Sequence, residues 1–270
     1  MKKVVLITGA SSGMGKETAK LLGQNNYIVY AAARRVEKMK DLEVLGIKTI
    51  SMDVANDSSI VKGVEEILHA EKRIDILINN AGFGAYGAIE DMSMETAKYQ
   101  LDVNLFGAAR LIQLVLPEMR KNKFGKILNV TSVGGKLATP YGGWYHASKF
   151  ALEGLSDALR NEVKQFGIDV IVIEPGAVES EWADIAMDNL IESSKKSPYK
   201  VTIDKMAKSL KSTMNKRSKP ILIASLIKKG IESKKPKARY VGGFMAKPVL
   251  FLKWILSDSL FDKMLASQMK

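Results

Sequence analysis

Short apolar runs alternate with longer stretches of helical spacing from residue 3 to residue 174. The runs fall at 3–8, 27–33, 48–52, 74–79, 125–131 and 168–174, and each is a continuous Val-, Ile-, Leu- or Ala-rich series rather than an alternation of apolar and polar. Continuous runs suit strands covered on both faces, as in a parallel sheet. Between them, apolar residues recur at helical spacing, for example over 14–24, 57–71, 98–121 and 146–166. Strand–helix alternation of this kind predicts an α/β fold, a doubly wound parallel sheet with helices on both faces and right-handed crossovers.

The pattern changes near residue 190. Lys and Ser are dense from Ser193 to Pro220, although Val201, Met206, Leu210 and Met214 keep helical spacing. This predicts loosely connected helices over 185–215, placed across the active end of the sheet. Their Met and Leu content suits an adaptable apolar lid, or plain core packing. A short strand is expected near 239–241. Residues 245–270 predict an amphipathic helical extension carrying Leu250, Phe251, Leu252, Trp254, Ile255, Leu256, Leu260 and Phe261 beside Lys247, Lys253, Lys263 and Lys270. No repeat or linker interrupts the pattern before residue 190, so 1–270 is expected to be a single domain.

Composition removes several chemistries. The 270 residues contain no cysteine, which excludes disulfides, zinc–thiolate sites, iron–sulfur clusters and a catalytic thiol. His69 and His146 are the only histidines, so a three-His metal centre is impossible, and no metal is expected. The net charge of +12 is uneven: residues 1–190 hold 22 basic and 24 acidic side chains, residues 191–270 hold 19 and 5. A basic C-terminal part can attract a polyanion or an anionic membrane surface. No nucleic-acid reading motif accompanies the charge, and nucleic acid is not an expected partner. The extension is expected to pack as a lid edge or subunit contact, with weak peripheral membrane association as the alternative. No apolar run approaches the length of a membrane span. The run Val4–Ile7 after Met1-Lys2-Lys3 is too short for a signal peptide, so a cytoplasmic location is expected.

Candidate chemistry starts where the first strand ends. Thr8-Gly9-Ala10-Ser11-Ser12-Gly13-Met14-Gly15 joins a strand to a helix. At such a turn, unpaired N–H groups and the positive helix end face an anion, and missing Cβ atoms let a pyrophosphate approach. The second strand ends Ala33-Arg34-Arg35, without the carboxylate that would bind a ribose 2′-hydroxyl. Two guanidiniums suit a 2′-phosphate instead, although the same pair could merely cap a surface strand. Tyr145 and Lys149, four apart in a helical stretch, share one face. An ammonium beside it, with a further positive charge bound nearby, would favour the phenolate over a phenol of ordinary pKa near 10. A shift of about three units corresponds to roughly 4 kcal/mol.

The chain resembles the short-chain dehydrogenase/reductase family. The residues that carry the resemblance are the G-x-x-x-G-x-G turn, Asn79-Asn80-Ala81-Gly82, Asn104, Ser132, Tyr145-His-Ala-Ser-Lys149 and Pro175-Gly176, in family order and spacing over residues 3–180. The resemblance implies a Rossmann domain that binds NAD(P) and itself carries the catalytic residues. It places Gly9, Ser11, Ser12, Gly13, Met14 and Gly15 at the pyrophosphate and Arg34 at a 2′-phosphate, with Arg35 facing solvent, so that NADP(H) is preferred over NAD(H). Asp53 and Val54 would lie near the adenine, and Asn80, Ala81 and Gly82 along the cofactor. Pro175, Gly176, Val178 and Ser180 would lie near the carboxamide, Ser180 standing where the family often has Thr. Ser132 would hydrogen-bond the substrate oxygen and Tyr145 would exchange its proton. Lys149 would hold the nicotinamide ribose, and Asn104 a water linked to Lys149. His146 and His69 are taken as structural.

The stretch 143–154 is similar to members that act on steroids, retinoids and other bulky apolar alcohols. The implied function is an NADP(H)-dependent interconversion of a ketone or aldehyde with an alcohol on such a substrate, in a homodimer or homotetramer. A 3-oxoacyl-carrier-protein reductase is the alternative within enzymes, and a non-catalytic NADP-binding sensor or scaffold the alternative outside them.

Overall fold

The structure, a computed structural model, describes residues 1–212 and 214–267. Thr213, inside the expected lid, and Lys270, in the expected extension, lie outside the described residues. Seven parallel strands form one sheet: β1 (Lys3–Thr8), β2 (Tyr27–Ala33), β3 (Lys48–Ser51), β4 (Ile76–Asn79), β5 (Gly125–Val130), β6 (Ile168–Pro175) and β7 (Arg239–Gly242), in the order β3-β2-β1-β4-β5-β6-β7. The chain winds outward from β1 in one direction, then returns to β4 on its other side. The crevice for a ligand in such a sheet opens beyond the carboxyl ends of the strands at this reversal.

The helices are α1 (Gly13–Gly23), a short α2 (Lys40–Glu43), α3 (Asp57–Glu71), α4 (Met94–Leu101), α5 (Gly107–Lys121), α6 (Gly143–Val163), α7 (Glu181–Ser193), α8 (Lys200–Ser212), α9 (Pro220–Glu232), α10 (Ala246–Ile255) and α11 (Asp258–Ser267). Two buried apolar layers sandwich the sheet. One packs Val5, Ile7 and Ile171 with Ala19, Leu22, Ile223 and Ile227. The other packs Val4, Leu6 and Leu77 with Ile60, Val64, Leu111 and Val115. Alternate strand residues feed opposite layers, which is why the strands are apolar at consecutive positions.

The expected sheet is found, with three refinements. In the run 74–79 the strand begins at Ile76; just before it, Asp75 N donates to Val4 O and Lys126 N donates to Asp75 O, each at 2.9 Å, while Asp75 Oδ2 accepts from Val4 N at 2.8 Å and Arg73 grips the carboxylate. The run 98–121 is two helices, α4 and α5, joined by a π-helical turn Asp102–Phe106. The helix α9 was not foreseen, since lysines and serines on both sides mask it. Its signals were present: Pro220 in the first turn, where a missing N–H costs nothing, and Ile223, Ile227 and Ile231 buried at four-residue spacing against the layer that holds α1.

The C-terminal extension is anchored through Ala246 and Phe261, which are buried, while Phe251, Trp254, Ile255 and Leu260 remain exposed. Among the described residues, no helix is long and apolar enough to cross a membrane.

Ile227 is fully buried in the α9 layer. Ile227→Ala is expected to lower stability by about 2–5 kcal/mol, the usual range for truncating a buried isoleucine. Urea unfolding followed by circular dichroism checks this.

Candidate active site

The glycine turn is shaped by close backbone approach. Gly9 and Gly13 adopt φ of +68° and +54°, in the left-handed region that favours glycine. A Cβ on Gly9 would stand 2.8 Å from Ala81 Cα, and one on Gly15 would stand 2.5 Å from Gly9 O and collide with the Asn80 amide. Thr8, which the sequence reading passed over, fastens the turn to the end of β4: its Oγ1 accepts from Asn80 N and Ala81 N, each at 3.1 Å. Asn80 Nδ2 donates to Thr8 O at 2.9 Å, while its Oδ1 is buried without a hydrogen-bond partner.

This turn fits a dinucleotide pyrophosphate. Ser12 caps α1 in extended backbone, its side chain makes no capping bond, and no acidic residue occupies the first turn. The amide end of α1 is thus left to an anion, with the helix dipole favouring negative charge. Ser11 and Met14 flank the turn, half-buried. Across the cleft, Ser180 Cβ would be 3.6 Å from a Cβ on Gly13. Val178 forms a parallel bridge with Ser218 through the neighbouring groups: Ser218 N donates to Ala177 O, and Glu179 N donates to Ser218 O. In that pattern the peptide groups of Val178 itself point the other way. Pro175 ends β6, and Gly176 is held so close to Phe244 O that a side chain there would clash.

Arg34 and Arg35 follow β2 and are both exposed. Arg34 Nη1 donates to Tyr99 Oη at 2.7 Å, so a phenol from α4 holds it at the strand end. Arg35, expected to face solvent, shares Glu181 with Lys38, at 3.2 and 3.3 Å. Asp53, beyond β3, accepts from Ala55 N at 3.0 Å, and Val54 packs at the edge of the core beneath it, where its carbonyl leaves no room for a side chain on Gly107.

Asn104, Ser132, Tyr145 and Lys149 converge at the carboxyl ends of β4 and β5. Ser132 follows β5, its Oγ accepts from Gly134 N at 3.0 Å, and it hydrogen-bonds the Tyr145 hydroxyl. Tyr145 and Lys149 lie in the first two turns of α6, both buried. Burial pushes the Tyr145 phenol up to about 12, against the opposing pull of the Ser132 hydrogen bond. Burial brings the Lys149 ammonium down to about 8, with the Glu153 carboxylate acting the other way. Lys149 Nζ donates to Val130 O at 3.0 Å and lies 6.0 Å from the centre of the Tyr145 ring. The expected phenolate supposed an oxidised nicotinamide ring beside the ammonium; in the ligand-free site, burial keeps the phenol protonated. A phenol protonated at neutral pH is the form that donates a proton.

Asn104 sits in the π-helical turn, and such turns recur at functional sites. Its Oδ1 accepts from Phe83 N at 2.7 Å, and its Nδ2 donates to Phe83 O and Ser148 Oγ at 2.7 and 2.9 Å. Both amide hydrogens are thereby engaged. A Cβ on Gly82 would be 3.6 Å from Lys149 Nζ and 3.7 Å from Asn104 Oδ1, so glycine keeps open the space between those atoms. Tyr86, absent from the sequence reading, brings its ring to 5.6 Å from that of Tyr145.

Most of the chain is similar to known proteins. Residues 3–189 match the short chain dehydrogenase family. The chain is 43% identical over 183 residues to a 3-ketodihydrosphingosine reductase of Bacteroides thetaiotaomicron, a match that covers 67% of this chain and 66% of the relative, just under two thirds of its length. It is 34% identical over 261 residues to a probable short-chain type dehydrogenase/reductase, VdlC, of Helicobacter pylori, covering 97% and 96% of the two chains. A crystal structure of a short-chain dehydrogenase from Streptomyces avermitilis superposes with a TM-score of 0.80 at 29% identity, over 97% of this chain and 94% of the other. The chain belongs to the short-chain dehydrogenase/reductase family. It is an oxidoreductase that uses a nicotinamide cofactor.

Gly15→Ala tests the cradle. Forcing a methyl against the Gly9 carbonyl costs about 1–3 kcal/mol of overpacking. Affinity for NADP and NAD alike is expected to fall at least about tenfold, while far-ultraviolet circular dichroism stays unchanged. Titration calorimetry measures both affinities.

Proposed function

We propose that the enzyme is an NADP(H)-dependent carbonyl reductase that interconverts a ketone or aldehyde with the corresponding alcohol on a bulky, lipid-like substrate. The observation that carries the substrate class is the 43% identity to a 3-ketodihydrosphingosine reductase. A long-chain ketone suits exposed apolar side chains near the Pro175–Gly176 loop. Met245 is exposed where the chain leaves β7 beside the Pro175–Gly176 loop, and Ile221 and Leu222 are exposed at the start of α9. The proposal includes a cytoplasmic enzyme assembled as a homodimer or homotetramer.

When bound, the cofactor supplies the hydride. The chain's own residues supply the rest. Ser132 hydrogen-bonds the substrate oxygen and places it beside the Tyr145 hydroxyl. Tyr145 donates its proton to that oxygen as negative charge develops, the work of a general acid. Lys149 holds a positive charge beneath the site and stabilises the phenolate that remains, and the space over Gly82 links it to Asn104. Arg34 selects the 2′-phosphate with two charge-assisted donors. Arg35 and Lys38 add positive charge at the same strand end.

Tyr145→Phe is expected to leave NADPH affinity within about twofold while turnover falls at least about a hundredfold, the scale for losing a general acid. The assay is loss of NADPH absorbance with 3-ketodihydrosphingosine and a panel of shorter ketones. Undiminished turnover in the variant would remove Tyr145 as proton donor, and wild-type inactivity on the long-chain ketone alone would remove the substrate class. Arg34→Ala is expected to weaken NADPH by about 1.5–3 kcal/mol, the value of a hydrogen bond to a charged group, and to leave NADH nearly unchanged. Equal wild-type affinities for the two cofactors would contradict the assignment.

A further inference from the structure

Ser132 is carried by a loop, yet its hydroxyl must hold a fixed distance from Tyr145 Oη. The loop's own bonds are local: Gly134 N donates to Ser132 Oγ, Gly135 N to Ser132 O, and Lys136 N and Leu137 N to Val133 O. The firmer ties come from α6. The His146 imidazole, 5% exposed, lies against the loop at two points five residues apart. Its Nδ1 is 2.9 Å from Gly134 O, and its Nε2 is 3.0 Å from both the amide N and the hydroxyl of Thr139. An amide N–H can only donate, so Nε2 is the acceptor and Nδ1 carries the hydrogen that reaches Gly134 O. The ring is thereby fixed as one neutral tautomer that bridges two stretches of main chain. Glycine at 134 is needed for the fit, since a Cβ there would stand 2.8 Å from His146 Nδ1.

Two turns further along α6, Glu153 holds the other end. Its Oε1 accepts from Thr131 Oγ1 at 2.7 Å, and its Oε2 pairs with Lys136 at 2.8 Å and with Arg239 at 2.9 Å. The loop is therefore gripped at Thr131, Gly134, Lys136 and Thr139, all from the helix that bears Tyr145 and Lys149. A loop serine so held shares one rigid support with the tyrosine it faces.

We propose that His146 is a positioning residue: with Glu153 it clamps the Ser132 loop to α6 and so sets the Ser132–Tyr145 geometry in which the substrate oxygen is received. The inference rests on the catalytic reading of Ser132 and Tyr145 given above. His146 does not touch the reacting atoms, and a misplacement of about 1 Å by a supporting residue is enough to cost large factors in rate.

The test is a double-mutant cycle with a structural readout beside it. His146→Leu removes both bonds; His146→Asn keeps a donor near Gly134, and His146→Gln keeps an acceptor near Thr139. With 3-ketodihydrosphingosine and NADPH, His146→Leu is expected to lower kcat at least about tenfold, with NADPH affinity and KM within about threefold, and the Asn and Gln variants to fall between. In a Ser132→Ala background the same change is expected to cost no more than about twofold, because residues acting through one another are not additive. Hydrogen exchange read by mass spectrometry is expected to quicken over residues 131–139 in His146→Leu and to remain unchanged over β1 and β2. An undiminished kcat in His146→Leu, or an equal loss in the Ser132→Ala background, overturns the proposal. If the wild-type protein reduces no carbonyl, the catalytic reading fails, and exchange over 131–139 still decides whether the clamp exists. Should His146→Leu not fold, the Asn and Gln variants carry both readouts.

Discussion

Lys149 brings an ammonium into a place almost without water, and removing a charge from water costs several kcal/mol unless hydrogen bonds and opposite charge compensate. Much of the surrounding structure supplies that compensation. Val130, the last residue of β5, offers its carbonyl at 3.0 Å, and Glu153 one turn along α6 offers a carboxylate. Gly82 leaves space above the ammonium that opens toward Asn104. A charge held this way titrates near pH 8 rather than at the ordinary lysine value. It remains largely cationic at neutral pH, and in the proposed mechanism it stabilises the anion formed when Tyr145 gives up its proton.

The same burial gives Tyr145 its character. A phenol pushed up to about 12 keeps its proton in the ligand-free site. The two groups therefore have opposed shifts from one cause, since low polarity disfavours whichever charged form each group has. Helix α6 unites them. It carries Tyr145 and the ammonium, and through His146 and Glu153 it holds the loop that carries Ser132, so three of the four converging side chains share one rigid support.

The crevice at the strand reversal supplies the other half of the site. The turn after β1 and the end of β4 are locked together by Thr8 and Asn80 at distances that leave no space for side chains on Gly9 or Gly15. The glycine turn and helix α6 thus meet at the same edge of the sheet, and in the proposed mechanism this brings cofactor and proton donor within reach of one substrate carbonyl.

Wherever one segment carries its own instructions, the sequence alone was sufficient. Continuous apolar runs specify two-sided burial and hence the parallel sheet. The glycine turn, the Tyr145–Lys149 spacing and the arginines after β2 are each confined to a few consecutive residues, so their types and order are visible without a fold. Features created by contact between distant segments were not visible. The direction of the Tyr145 shift in the ligand-free site depends on burial by surrounding elements, which the spacing to Lys149 does not show. His146 looked structural from its place beside Tyr145, because Gly134 and Thr139, the main-chain groups that give it a task, reach it only when the loop folds back over α6. Arg35 found Glu181, 146 residues away, across the cleft. Helix α9 was hidden by flanking lysines, and only its packing on the α1 layer revealed its apolar stripe. Local pattern encodes which face is apolar and which residues can do chemistry; tertiary packing determines how much water they keep, and with it their charge.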